Sequence, residues 1–497
     1  MRCATEIELA LAPRASGQTL QHWLYLELRR AMLSGRLPAG MRLPPSRELA
    51  RQQGVSRGTV LAVYEQLAAE GYLTGAVGRG TTVSTRLPGT ARLSPSAPPA
   101  LPPTPPRLSR AGQQLAATPF PQDESRLPLR AFRPNHPDLS AFPLALWNRI
   151  VARRSNALRP ASMGHGPAGG DGALRQAIAD HLRYAQRIVC RPEQVLILAS
   201  AQQGLDLCAR LLLDPGDSVW LEDPGYPGAR DLFAAVGARW VPTPVDGQGL
   251  DVAAALALAP EARLAYVTAA HQSPLGMPLA IERRLALLAW ARAQGAMIIE
   301  DDYDGEFRYS GPPLAALKSL DDDRVIYLGS FSKLLFPALR LAYLVVPDSL
   351  VDALTSAISL TCRQVSPQMQ RVLGEFIAEG HFARHLRKMR VRYAERAEVL
   401  QQACQQQLAG LLSLPPIHTG LDATALLPTG WDDQLVAARL LEAGIETRAL
   451  AFYQIAHPPP PGLILGFSAF DGAQIRAGVA GLAQVLETLA RQRQCAG

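Results

Sequence analysis

The chain has 497 residues, longer than one domain usually runs, and 48% of them are hydrophobic, enough for large buried cores. Its six cysteines are scattered with no CxxC pair, which argues against a disulfide scaffold or a cysteine metal site, and no run of about 18 uncharged apolar residues exists to span a membrane. The net charge of +7 is modest, but residues 1–90 hold eleven Arg and six Glu with no Lys or Asp, so +5 of it sits in under a fifth of the chain, as in a polyanion-binding module. The opening "MRCATEIELALAP" has acidic residues and no apolar core segment, so a secretory signal is not expected and the cytoplasm is the expected compartment.

Residues 1–86 read as a mainly α winged helix-turn-helix. Leu20, Trp23, Leu24, Leu28, Ala31 and Met32 share one helical face. "GRLPAGMRLPP" breaks that helix, and Ser46 can cap a short second one, "SRELARQQ". A Gly-Val turn follows, and Ser56 can cap a third helix with Val60, Val63, Tyr64, Leu67 and Ala68 as its buried stripe. "EGYLTGAVGRGTTVS" alternates and is punctuated by glycine, the pattern of a β-hairpin wing. In such a domain the first turn of the last helix meets the major groove. That places Ser56, Arg57 and Thr59 at DNA, with Arg57 able to read a guanine edge or hold a phosphate. Arg42 and Arg47 are backbone-phosphate candidates, and Arg79 sits at the wing tip. The competing reading, a solvated helical face in a dimerisation hairpin, does not explain why helix pattern, wing and local charge coincide.

Residues 87–125 read as a linker, because 87–106 hold eight prolines, and proline lacks the N–H and fixes φ. From residue 126 to 497, apolar strands alternate with helical patterns. "QVLILAS", "SVWLEDP", "RLAYVTAA", "MIIEDDY" and "RVIYLGSFS" are the buried-strand candidates, so the domain is α/β with a mostly parallel sheet that binds ligands at its strands' carboxyl ends. After about residue 375 helices dominate, as in a smaller subdomain.

Only three lysines occur in the chain: Lys318, Lys333 and Lys388. Lys333 lies in "SFSK" at a strand end, where a primary amine can form a Schiff base and a guanidinium cannot. Pyridoxal phosphate is the common aldehyde cofactor, and it needs an acid at its ring nitrogen and a cradle for its phosphate. Asp301 can supply the acid. Backbone N–H groups of Ala201 and Gln202, opening a helix, can hold the phosphate, with Ser330, Ser332 and Arg340 as further donors. Tyr226 can stack on the ring and Tyr303 can donate to its oxygen. Each cluster alone could be a polar strand terminus, and Lys333 a solvated charge; their combination on one α/β pattern favours the cofactor site. No metal site is expected.

"EDDYDGEFRY", "GSFSKLLFPALRLAYLVVP", "SAQQGLDL" and "EDPGYPGAR" resemble the fold-type I aminotransferase domain, with its large and small subdomains. "GRLPAGMRLPPSRELARQQGVSRGTVLAVYEQLAAEGYLTGAVGRGTTV" resembles a GntR-type winged helix. In this order, joined by a Pro-rich linker, they resemble the MocR subfamily of bacterial transcription regulators. The resemblance implies the Schiff-base role for Lys333, the ring-nitrogen role for Asp301, the ring-oxygen role for Tyr303, stacking for Tyr226, and phosphate contacts at Ala201, Gln202, Ser330 and Arg340. It puts His165, in "MGHGPAGG", where a tyrosine usually reaches the partner subunit's phosphate, and matches Arg47 and Arg57 to DNA contacts. It also implies a homodimer in which both subunits complete each site.

The departures from the pattern are informative. Ser273 of "SPLG" stands where aminotransferases have an asparagine, and Leu61 stands where some GntR relatives have an arginine. In "GLILGFSAF", Ile464 occupies the place of the arginine that clamps a substrate carboxylate, so either Arg230 or Arg448 takes over or the ligand is no α-amino acid. Three functions compete. The first is a transcription regulator that binds a double-stranded DNA operator and senses pyridoxal phosphate or a small amine or amino-acid effector. The second is an aminotransferase with an accessory DNA-binding domain, at most a half-reaction being expected here. The third is a binding module without cofactor, which the retention of Lys333, Asp301 and Tyr226 disfavours.

Overall fold

The structure, a computed structural model, describes residues 11–14, 17–76, 80–88, 107–117, 128–160, 163–311 and 314–496. It divides into two units, Met1–Pro106 and Arg107–Gly497. In the first, the helices are α1 (Leu20–Leu33), α2 (Ser46–Gln53) and α3 (Arg57–Ala69), followed by an antiparallel pair, β1 (Leu73–Ala76) and β2 (Gly80–Val83). Leu24, Leu28, Ala31 and Met32 of α1 pack on Leu49 of α2 and on Val60, Val63, Tyr64 and Leu67 of α3. Leu20 and Ala68, expected in those stripes, are exposed. The turn between α2 and α3 works because Gly54 takes a left-handed φ of 65°, which lets Val55 N–H reach the Ala50 carbonyl at 3.0 Å. Ser56 caps α3 through Thr59 N–H at 3.1 Å. Ser46 does not cap α2: Pro45 takes the N-cap position, and its carbonyl already accepts from the N–H groups of Glu48 and Leu49.

The stretch expected as linker up to about residue 125 contains a helix, α4 (Arg110–Ala116), capped by Ser109 on Gly112 N–H at 3.0 Å. The dense run of prolines stops at Pro106, the next being Pro119, and nothing in "SRAGQQLA" prevents a helix. The rest of the second unit runs α5 (Leu144–Asn156), α6 (Gly172–Ala185), β3 (Val195–Leu198), α7 (Ala201–Leu212), β4 (Ser218–Asp223), α8 (Pro227–Ala235), β5 (Arg239–Asp246), β6 (Gly249–Leu250), α9 (Val252–Leu258), β7 (Leu264–Val267), α10 (Ile281–Gln294), β8 (Met297–Asp302), β9 (Val325–Ser330), α11 (Phe331–Leu334) and β10 (Ala342–Val345). Helix α4 packs on α8.

These strands form one sheet in the order β3-β10-β9-β8-β7-β4-β5-β6. β9, β8, β7, β4 and β5 are mutually parallel, while β10 runs antiparallel to both β3 and β9, so β3 shares their direction. Both faces are covered. Ile299, Ile326 and Leu328 belong to one core and Ile298, Val325 and Val267 to the other, which is why these strands read as unbroken apolar runs. All five expected strands are present. β10, β5 and β6 lie outside the expected set; β5 carries Pro242 and Pro244, tolerated because β6 pairs only with Val245 and Asp246 on that side.

The chain continues as α12 (Val351–Thr361), α13 (Pro367–Ala378), α14 (His381–Gln407), β11 (Asp422–Leu426), α15 (Asp433–Glu442), β12 (Arg448–Ala449), β13 (Gly462–Gly466) and α16 (Gly472–Ala496). The antiparallel sheet β11-β13-β12 is the centre of the smaller subdomain. Ala131 and Phe132, far away in sequence, join it through bridges to Ile445 and Gly466. No helix among the described residues is long and apolar enough to cross a membrane.

Candidate functional site

The parallel strands bring their carboxyl ends to one edge, and the expected cofactor residues follow directly from them. β3 leads through Ser200 into α7, β4 into the loop of Tyr226, β8 ends in Asp301 and Asp302, and β9 ends at Ser330 ahead of Lys333. The register sets Asp301 beside Leu328 and Asp302 beside Gly329, so the acid and the lysine come from neighbouring strand ends.

Asp301 is 6% exposed, and its Oδ2 accepts from the Tyr266 hydroxyl at 2.7 Å. Its Oδ1 is buried with no hydrogen-bond partner among the described residues. Burial, reinforced by Asp302 and Asp304, pushes its pKa up to about 7. A buried carboxylate oxygen left unpaired is costly, and a protonated pyridine nitrogen is a group that would satisfy it. At the start of α7 the Ser200 side chain caps Gln203 N–H at 3.1 Å, leaving the first-turn N–H groups of Ala201 and Gln202 outside the helical ladder. Gly204 lets that turn lie on Leu198, Leu328 and Leu344, where a Cβ would come within 2.9 Å of Leu198.

Tyr226 sits at the N-cap of α8. Its loop is anchored from the small subdomain: Asp223 accepts from the N–H groups of Ile455, Ala456 and His457 at 2.7–2.8 Å, and Gly225 N–H donates to the Tyr453 carbonyl at 3.0 Å. Lys333 Nζ donates to the Asn135 carbonyl at 2.8 Å, and Asn135 N–H in turn donates to Asp422 Oδ1 at 2.8 Å. The other two lysines are placed elsewhere. Lys318 is buried against Asp322 at 2.6 Å, and Lys388 is exposed on α14. Ser330 is buried and caps α11 on Ser332 N–H, whereas Arg340 is exposed and left-handed at φ 51°, and its guanidinium makes no hydrogen bond or ion pair among the described residues. His165 is exposed on the loop before α6 and has no partner among the described residues.

Several polar residues of this region lie outside the sequence-based expectations. The Tyr303 hydroxyl lies 3.2 Å from His271 Nδ1, with the two rings stacked at 5.8 Å. His271 also pairs with the buried Asp304 at 2.9 Å. Burial works to lower the His271 pKa, but the Asp304 carboxylate together with Asp422 and Asp302 outweighs it and the net shift is upward. Glu222, pushed up by burial to about 7, accepts from Thr268 and Gln272. The signal for this second layer is "HQSPLG", a polar run just after a buried strand, but spacing does not reveal which carboxylate meets which donor. These residues fit pyridoxal phosphate: a lysine amine, an unsatisfied buried acid oxygen, N–H groups outside the helical ladder at a helix start and an adjoining aromatic converge at one edge.

In the first unit, Arg57 opens α3 and is exposed beside Ser56, whose hydroxyl also lies 2.8 Å from that of Thr59. Arg47 is exposed on α2, and Arg42 bridges to Thr82 of the hairpin with its guanidinium against Gly80. Arg51 is tied to Glu48 at 2.6 Å, but Arg42, Arg47 and Arg57 make no ion pair among the described residues. Arg79 lies outside the described residues. Leu61 is exposed on α3.

Comparison with known proteins agrees with both halves. Residues 20–83 match the gntR family of bacterial regulatory proteins, and residues 143–450 match class I and II aminotransferases. The chain is 38% identical over 459 residues to the probable rhizopine catabolism regulatory protein MocR of Rhizobium meliloti, covering 92% of this chain and 91% of that protein. It is 33% identical over 452 residues to the pyridoxine biosynthesis transcriptional regulator PdxR of Corynebacterium glutamicum, covering 90% of this chain and 92% of that one. Among solved structures, the α-aminoadipate aminotransferase LysN of Thermus thermophilus, complexed with a phosphopyridoxyl-leucine, is 27% identical with a TM-score of 0.68 over 73% of this chain and 93% of its own. The chain therefore belongs to the MocR-type transcriptional regulators of the gntR family, which join a helix-turn-helix domain to a fold-type I aminotransferase domain that takes pyridoxal phosphate.

Proposed function

We propose that this protein is a regulator that grips a two-part DNA operator through paired winged helices and adjusts that grip when a small amine reaches the cofactor held by Lys333. Arg42, Arg47, Arg57 and Arg79 serve the DNA; Lys333, Asp301, Tyr303, Tyr226, Ala201, Gln202, Ser330, Ser332 and Arg340 serve the cofactor. A homodimer would bring His165 to the phosphate of the neighbouring site. The observation that carries this reading is the contrast within one site. The cofactor-holding residues are kept, with Asp301 Oδ1 buried and unpaired, while the carboxylate-clamp position is the buried Ile464.

Bound pyridoxal phosphate supplies an electrophilic carbon for a primary amine. The chain supplies the rest. Asp301 would hold the ring nitrogen's proton, Tyr226 would cover a ring face, and the start of α7 would fix the phosphate. Lys333 would hold the cofactor through its amine, and the Asn135 carbonyl, which accepts from that amine at 2.8 Å here, would receive it whenever a ligand amine frees it. The test is a fluorescence-anisotropy titration on the DNA upstream of the protein's own gene, apo and cofactor-loaded protein side by side. A cofactor-dependent affinity or stoichiometry supports the reading. Fast amino-acid turnover with DNA binding indifferent to both cofactor and amine would overturn it in favour of an aminotransferase.

A further inference from the structure

The small sheet presents one continuous polar-and-apolar face to the cofactor region. Asp422 and Thr424 are two residues apart on β11, so their side chains share a face. Thr424 pairs directly with Ile464 on β13, and Ile464 pairs directly with Arg448 on β12; direct cross-strand partners also share a face. Asp422, Thr424, Ile464 and Arg448 therefore lie on one face, with Thr424, Ile464 and Arg448 in a row across it. At one end Asp422 holds Asn135, whose carbonyl accepts from Lys333. In the middle the Thr424 hydroxyl donates to the Pro274 carbonyl of the "SPLG" loop at 2.6 Å, and Ile464 packs with Leu275, Leu450 and Tyr453. Tyr453 is the residue whose carbonyl anchors the Tyr226 loop.

Arg448 stands at the other end of this face. Its guanidinium lies over the Phe452 ring at 4.6 Å and makes no hydrogen bond or ion pair among the described residues. That is an unusual state for a half-buried arginine, whose planar fork suits a bidentate oxyanion. Arg230, the other arginine available, is already engaged: its Nε donates to Asp231 at 2.7 Å and its Nη1 to the Gln454 carbonyl.

We infer that Arg448 is the anion anchor of the effector site, so that the effector is a primary amine bearing a carboxylate or a phosphonate, its amine at Lys333 and its oxyanion at Arg448. This rests on the amine-sensing reading above. Ile464 moves the anion-binding position one strand sideways, from β13 to β12, and leaves an apolar wall for the carbon spacer. A compound shaped for a clamp on β13 would meet isoleucine instead of a cation.

The experiment uses cofactor-loaded full-length protein and follows the absorbance of the lysine-bound cofactor while 3-aminopropanoate, 2-aminoethylphosphonate or propylamine is added. The oxyanion-bearing amines should act at concentrations roughly tenfold to a hundredfold lower than propylamine, the range expected of a hydrogen-bonded ion pair. In Arg448→Gln that ratio should fall to about one, and in Arg448→Lys it should be intermediate. The better of the two acids tells whether the site takes carboxylate or phosphonate. A tenfold preference that survives in Arg448→Gln would overturn the assignment, as would a wild-type protein that answers propylamine and the acids alike. If no amine changes the spectrum of the loaded wild-type protein, the sensing reading itself falls, and Arg448 with it.

Discussion

Replacing Asp301 by asparagine should stabilise the cofactor-free protein while weakening its hold on the cofactor. In the folded apo protein the Asp301 pKa is raised to about 7 by burial, against about 3.8 for the ordinary side chain. Between those two values the folded protein keeps a proton that the unfolded chain has released, so stability falls as pH rises and the deficit is complete above about pH 7. That difference corresponds to about 4 kcal/mol, an upper limit because the neighbouring carboxylates relax when the charge is removed. An asparagine amide in the same place leaves a polar group unpaired, at about 1–3 kcal/mol. The net expectation is a gain of about 1–3 kcal/mol for apo Asp301→Asn at pH 8.5 and none at pH 4.5. For a unit of roughly 390 residues, with an unfolding entropy of about 2 cal/mol/K per residue, that is a rise of about 1–4 °C in Tm. With cofactor the order reverses, because the variant lacks the charge that holds the ring nitrogen's proton. Affinity for pyridoxal phosphate should drop by roughly tenfold or more. Calorimetric unfolding of both proteins, apo and loaded, at the two pH values reads all four quantities. An apo variant less stable than wild type at pH 8.5, combined with an unchanged shift on cofactor addition, would refute the placement of Asp301 at the ring nitrogen.

Lys333→Arg keeps the positive charge but should abolish the absorbance of the lysine-bound cofactor; a band that survives would remove Lys333 from that role. Arg57→Ala should weaken operator binding by about 1–3 kcal/mol if it reads a base edge, whereas Arg47→Ala should weaken all DNA alike and lower the salt slope by about one, both read by anisotropy at several salt concentrations. His271→Leu strips the buried Asp304 of its partner and should cost about 3–5 kcal/mol in thermal unfolding, and a neutral outcome would mean that Asp304 finds another donor.

Much of this protein was legible from the order of its residues. The apolar periodicity of the three N-terminal helices, the five buried runs ending in polar residues, and a single lysine at a strand end all depend on local spacing, which a linear reading captures. Local chemistry also marked the Ser56 cap and the turn at Gly54. It misplaced the cap of α2, because a proline carbonyl can receive the first helical bonds without any side chain, and it extended the linker over α4, because a falling proline content sets no sharp limit. What the tertiary structure alone decided are pairings between residues distant in sequence. Asn135 and Asp422 are brought to Lys333 from opposite ends of the domain, His271 is paired with Asp304, and one oxygen of Asp301 is left without a donor. Most decisive is the cross-strand register that sets Arg448 beside Ile464. Register is a property of two strands packed together, so the missing arginine and its two candidate substitutes could be read along the chain, whereas which of them stands beside Ile464 is decided only in the folded protein.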